Sequence, residues 1–145
     1  MKSSSHPFHK RSIFGYHYEN LLKATLERVV GEPIVKTSEE YDTMDFQGNT
    51  SFLELKARSD QYHYSQSFIK KQGWLLPYCK IQRAKEEVAK GKRVVFFYFW
   101  KADKTLWMWE YSEEALTDCI IKYPDWHIDQ QQQIYVKEMH WKKVN

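Results

Sequence analysis

Seven consecutive apolar residues, Val94-Val95-Phe96-Phe97-Tyr98-Phe99-Trp100, constrain the fold of this chain more than any other feature. A β-branched and aromatic run of this length is a strand, and an apolar side chain at every position means burial on both faces. Such a strand sits in the middle of a sheet with a layer on each side. Helices for those layers are legible elsewhere. From Ile13 to Val30 the apolar residues Phe14, Tyr18, Leu21, Leu22, Leu26, Val29 and Val30 recur at helical spacing until Gly31 and Pro33 end the run. A second helix is expected over Tyr78–Lys90, stopped by Gly91, and a third over Glu113–Tyr123. Strands are expected at Pro33–Lys36, in a hairpin over residues 41–58, at Thr105–Tyr111 and at Gln133–Trp141, while 59–67 reads as a polar loop and 67–78 is interrupted by Gly73 and Pro77. The order of elements gives a mixed sheet flanked by helices, α/β or α+β.

At 145 residues the chain is expected to form one domain over 13–145, preceded by a flexible basic arm over 1–12. His6 and His9 in that arm lack further ligands beside them, so they are read as tail residues. With 42% hydrophobic and 28% charged residues, the composition is that of a folded protein. A net charge of +3 permits contact with a phosphate backbone without demanding it. Cys79 and Cys119 have no partner motif, which argues for a reducing compartment and against zinc or a disulfide framework. No stretch resembles a signal peptide or membrane span, and a soluble intracellular protein is expected. The 17% aromatic content suggests more rings than one small core holds, and therefore exposed rings able to stack on bases.

The chemistry lies in Tyr41–Lys56, where acids surround a turn at Gln47-Gly48-Asn49-Thr50 and Glu54-Leu55-Lys56 follows. The spacing alone says little, since about two acid-x-Lys matches are expected by chance at this composition and the chain has one. Strand parity is more informative. Leu53, Leu55 and Ala57 form one face, and Phe52, Glu54, Lys56 and Arg58 the other. If Met44 and Phe46 share the buried face of Leu53 and Leu55, Asp45 shares the face of Glu54 and Lys56, and Asp42 points away. A two-residue turn at Gly48-Asn49 pairs Gln47 with Thr50 and agrees with this; a one-residue change in the turn would promote Asp42 instead.

Two carboxylates on one patch call for a cation. Asp45 and Glu54, with the Leu55 carbonyl, would hold Mg²⁺ through oxygen ligands, and Mn²⁺ would substitute. Such an ion polarises a phosphate and acidifies a bound water. Lys56 would position or activate that water and stabilise developing charge. The plainer reading of the same residues is a surface hairpin with a cross-strand Glu/Lys pair.

Asp45, eight intervening residues and then Glu54-Leu55-Lys56 resemble the motif of the PD-(D/E)XK nuclease superfamily, the restriction-endonuclease-like fold that includes Holliday junction resolvases and phage or viral nucleases; the leading proline is absent. The resemblance extends over about 13–111 and implies an αβββαβ core. It also implies an acid from the first helix at the metal site, for which Glu19 is the match and Glu27 the rival. On the helix after the motif, Gln82 or Lys80 would point at the site. His17 and Arg58 are further candidates for phosphate contact. The function implied is a Mg²⁺-dependent nuclease, an endonuclease acting on DNA with structure-selective or weakly sequence-specific cutting, RNA remaining open, and a two-fold dimer if both strands are cut. Two rivals stand beside it: a catalytically inactive nucleic-acid-binding module on the same fold, and a protein-interaction domain.

Overall fold

The computed structural model describes residues 7–37, 44–58, 73–102, 104–122 and 133–144, without the side chains of 7–18 and Lys122. The fold is α/β. In chain order the elements are α1 (Pro7–Val30), β1 (Val35–Lys36), β2 (Phe46–Gln47), β3 (Ser51–Arg58), β4 (Trp74–Pro77), α2 (Tyr78–Ala89), β5 (Arg93–Trp100), β6 (Thr105–Glu110), β7 (Ile120–Lys122), β8 (Gln133–Val136) and β9 (Lys142–Lys143). A six-stranded mixed sheet has the order β1-β2-β3-β5-β6-β9, and β4, β8 and β7 form a smaller sheet. Within the large sheet β3 and β5 run parallel, Ser51 opposite Arg93 through Arg58 opposite Trp100, and the remaining pairs are antiparallel.

β5 is central, and its side chains alternate between two cores. Val95, Phe97 and Phe99 join Leu53, Leu55, Ala57, Phe46 and the α1 residues Leu26 and Val30. Val94, Phe96, Tyr98 and Trp100 join Phe52, the α2 residues Ile81 and Ala84, and residues of the small sheet. The sheet therefore lies between α1 on one face and α2 with β4 and β8 on the other.

The second core absorbs the aromatic content. Trp74 stacks on Trp141 at 4.8 Å and meets Tyr98 edge-on at 5.0 Å, while Phe96 stacks on Trp109 at 5.4 Å. Among the described residues no aromatic side chain is exposed, and Tyr78 and Trp107 are half-buried. For the described rings the expectation of exposed stacking surfaces is not met, because the second sheet roofs the first and gives them a place to pack; ten further aromatic side chains lie outside the description.

Three further expectations change. α1 begins at Pro7, so residues 7–12 are helical and not an arm, consistent with the ready fit of proline at a helix start; residues 1–6, including His6, lie outside the described residues. The expected third helix is a 3₁₀ turn at Glu114–Leu116 followed by β7. There the Thr117 hydroxyl donates to the Glu114 carbonyl and Cys119 Sγ to that of Leu116, and Ile120 and Ile121 pair with Tyr135 and Ile134. β8 ends at Val136, short of Trp141, because a second 3₁₀ turn at Glu138–His140 intervenes. Two strands lie where none was expected, β9 and β4; β4 is entered through Gly73, whose φ of +99° and 2.7 Å approach of a built Cβ to the Val136 carbonyl both demand glycine.

Candidate active site

The acids gather at the β2–β3 edge because the hairpin is pinned from several directions. Glu32, just past α1, accepts hydrogen bonds from Thr50 N (3.1 Å), Thr50 Oγ1 (3.1 Å) and Ser51 Oγ (2.5 Å), tying the turn to the helix end. The turn closes with Gly48 N donating to the Ser51 carbonyl, and Gln47 pairs with Phe52 instead of Thr50. The loop is longer than a two-residue turn by an even number of residues, which leaves the faces of β2 and β3 relative to each other unchanged.

Near Asp45 the strand bends. Phe46 faces Leu53 in the ladder, yet the Asp45 N–H also donates to the Leu53 carbonyl, one residue out of register, as at a bulge. Met44 consequently packs in the α2-side core and Phe46 in the α1-side core, so the expected shared face of Met44 and Phe46 does not hold. Thr37 N donates to the Asp45 carbonyl and Thr37 Oγ1 to that of Met44. So held, Asp45 accepts from Leu55 N at 2.9 Å through Oδ2. Asp42 lies outside the described residues.

Glu54, 3% exposed, points to the α2 side, and both of its oxygens are engaged. Lys80 Nζ lies 3.1 Å from Oε1 and Lys56 Nζ 3.6 Å from Oε2. Glu19 of α1, buried, pairs with Lys36 of β1. Charge couples the three acids. Burial first, then the Glu19 charge, raises the Asp45 carboxyl to about 6 against the Leu55 N–H and Lys80. Burial and then Asp45 raise Glu54 to about 7 against Lys80 and Lys56. The two lysines on Glu54 diverge: burial lowers Lys56 despite Glu54, whereas at Lys80 the pull of Glu54 and Asp45 outweighs burial and raises it.

Glu19, Asp45, Glu54 and Lys56 are thus brought together, with Leu55 supplying backbone beside them. Glu27, the rival of Glu19, instead accepts from Ile34 N at 3.0 Å and closes the α1–β1 turn. Gln82 is not part of the cluster: it is exposed, about 200° around α2 from Lys80. Lys80 takes the place on this helix that sequence reasoning gave to Gln82. The signal was present, because Lys80 lies four residues before the buried Ala84, on the apolar stripe of the helix. Arg58 is half-buried at the end of the same strand face, and the side chain of His17 lies outside the description. Among the described residues, no three His, Cys, Asp or Glu side chains form a ready metal-binding group; ammonium groups or a backbone N–H occupy each of the three acids. No helix of the described residues is long and apolar enough to cross a membrane. Compared with protein-family models the chain matches none, and no curated protein matches it.

Proposed function

We propose that the chain is a Mg²⁺-dependent nuclease that hydrolyses DNA phosphodiester bonds, an endonuclease of the restriction-endonuclease-like fold. One observation carries the reading: the buried Glu54, the half-buried Asp45 and Lys56 share one corner of the sheet, where burial and neighbouring charge raise the two acids and lower the lysine. The order α1, β1–β3, α2, β5 with β3 parallel to β5 supports the αβββαβ core. The donor set suits a hard divalent ion, since Glu19 raises the proton affinity of Asp45, Asp45 raises that of Glu54, and the Leu55 carbonyl lies between Glu54 and Lys56 in the chain. These three groups would hold Mg²⁺ or Mn²⁺, with Glu19 behind Asp45. When bound, the ion supplies Lewis acidity to the phosphate. Lys56, with its proton loosened by burial, would orient the attacking water, accept a proton at Nζ and oppose charge on the phosphate. DNA is the proposed partner, with a two-fold dimer if both strands are cut, in an intracellular setting.

The test is incubation with branched, single-stranded and linear duplex DNA in Mg²⁺, Mn²⁺ or EDTA. Cleavage is expected with either metal and is expected to vanish in EDTA, in Asp45→Asn and in Lys56→Ala; persistence in EDTA or Asp45→Asn would sink the reading. A second reading, an inactive binding module, draws on the partners already present on all three acids. DNA binding without cleavage under every condition would favour it.

A further inference from the structure

A carboxylate whose two oxygens both face ammonium groups takes up a dication against the repulsion of those charges, and most readily when the ammonium hydrogen-bonded to it moves away. Glu54 is in that position, with Lys80 at 3.1 Å on Oε1 and Lys56 at 3.6 Å on Oε2. The two lysines differ in contact. Lys56 lies two residues from Glu54 on the same face of a strand held between β2 and β5, and its ammonium stands off at 3.6 Å, whereas that of Lys80 is hydrogen-bonded to the carboxylate. Lys80 reaches across from the first turn of α2 on a flexible four-carbon stem, attracted by Asp45 as well as Glu54. Its charge thus serves the two acids that an ion would bridge.

We propose that Lys80 is a built-in counter-ion of the Asp45–Glu54 pair that a divalent cation displaces, so that cation affinity is set by competition with this side chain. The inference rests on the metal-site reading above. It also accounts for a compact acid cluster that lacks a ready three-ligand group among the described residues.

The test uses the full chain and Mn²⁺ alone, followed by titration calorimetry. Lys80→Met is expected to bind Mn²⁺ about tenfold more tightly than wild type, or better still. Lys85→Met, with the same charge change on an exposed residue of the same helix, is expected to stay within about twofold of wild type. In wild type labelled at lysine Cε, the Lys80 resonance, assigned with Lys80→Arg, is expected to move on addition of Mg²⁺ while that of Lys85 does not; this arm decides the matter if Lys80→Met does not fold. Equal Mn²⁺ affinity of Lys80→Met and Lys85→Met, or a Lys80 resonance unmoved while Mg²⁺ binds, overturns the proposal and leaves the nuclease reading intact. If neither wild type nor Lys80→Met binds Mn²⁺ more tightly than Asp45→Asn, the metal site fails and the proposal fails with it.

Discussion

β3 and β5 lie side by side in parallel and are buried to nearly the same degree, yet they fill that burial with opposite chemistry. On the shared face, Glu54 stands opposite Phe96, Lys56 opposite Tyr98 and Arg58 opposite Trp100. β5 satisfies its surroundings by packing: Tyr98 is fully buried, and its hydroxyl donates to the Leu75 carbonyl at 2.6 Å. β3 satisfies them with counter-ions from its own strand and from α2. Buried ion pairs contribute little net stability compared with apolar residues of similar size. The charges of β3 are therefore poorly explained by folding and well explained by chemistry.

The largest effect that would sharpen this contrast is on catalysis. Glu54→Gln should lower Mg²⁺-dependent cleavage about a thousandfold, on the order of 4 kcal/mol of barrier, with DNA binding measured in EDTA retained. The matching change in the neighbouring strand should act on stability: Phe96→Ala, which removes a fully buried ring stacked on Trp109, should cost about 3–5 kcal/mol by urea denaturation. If Glu54→Gln destabilised the chain as much as Phe96→Ala, the two strands would not be doing different work.

A triple replacement, Glu54→Leu with Lys56→Met and Lys80→Met, would make β3 resemble β5. It should leave stability unchanged or raise it by about 1–4 kcal/mol while abolishing cleavage. A loss of several kcal/mol in the same urea titration would show that the ions hold the sheet together and would break the comparison.

How far this contrast was legible in the sequence follows from how local each signal is. β5 and α2 are written in unbroken apolar periodicity, and the face shared by Glu54 and Lys56 follows from the two-residue strand period. The hairpin register is different, because it depends on Glu32 holding Thr50 and Ser51 from another element. Its parity agreed with expectation only as far as Phe46, since the difference was an even number of residues; before it the bulge at Asp45 sends Met44 to the other core. Gly73 and Pro77 hid β4, whose pairing with β8 is a long-range fact. Lys80 and Gln82 stood as alternatives because both are polar on one helix; only the phase relative to Ile81 and Ala84 separates them.

The ions of β3 should also leave a trace in pH dependence without metal. The folded state holds the Glu54 proton up to about 7 and the Asp45 proton up to about 6, above the ordinary 4.5 and 3.8. Folded protein therefore binds more protons than unfolded protein across this window, and stability falls as pH rises from about 4 to about 7, by several kcal/mol. Urea midpoints in EDTA should follow that slope, and Mg²⁺ should restore stability chiefly at the upper end, where its ligands are ionised. A stability that rises with pH through this window would mean that the lysines, and not burial, govern the two acids.

The smallest expected effect concerns the residue that sequence reasoning placed in the site. Helix α2 turns Lys80 toward Glu54 and packs Ile81 and Ala84 into the α2-side core, which leaves Gln82 exposed. A solvated helical residue with no role in the charge cluster contributes only its helix propensity, and alanine is the better helix former. Gln82→Ala should keep cleavage within about twofold of wild type and stability within about 0.5 kcal/mol. A tenfold loss of cleavage at unchanged stability would place Gln82 against bound DNA. The working surface would then extend beyond the corner where β3 carries its charges, onto the outer face of α2.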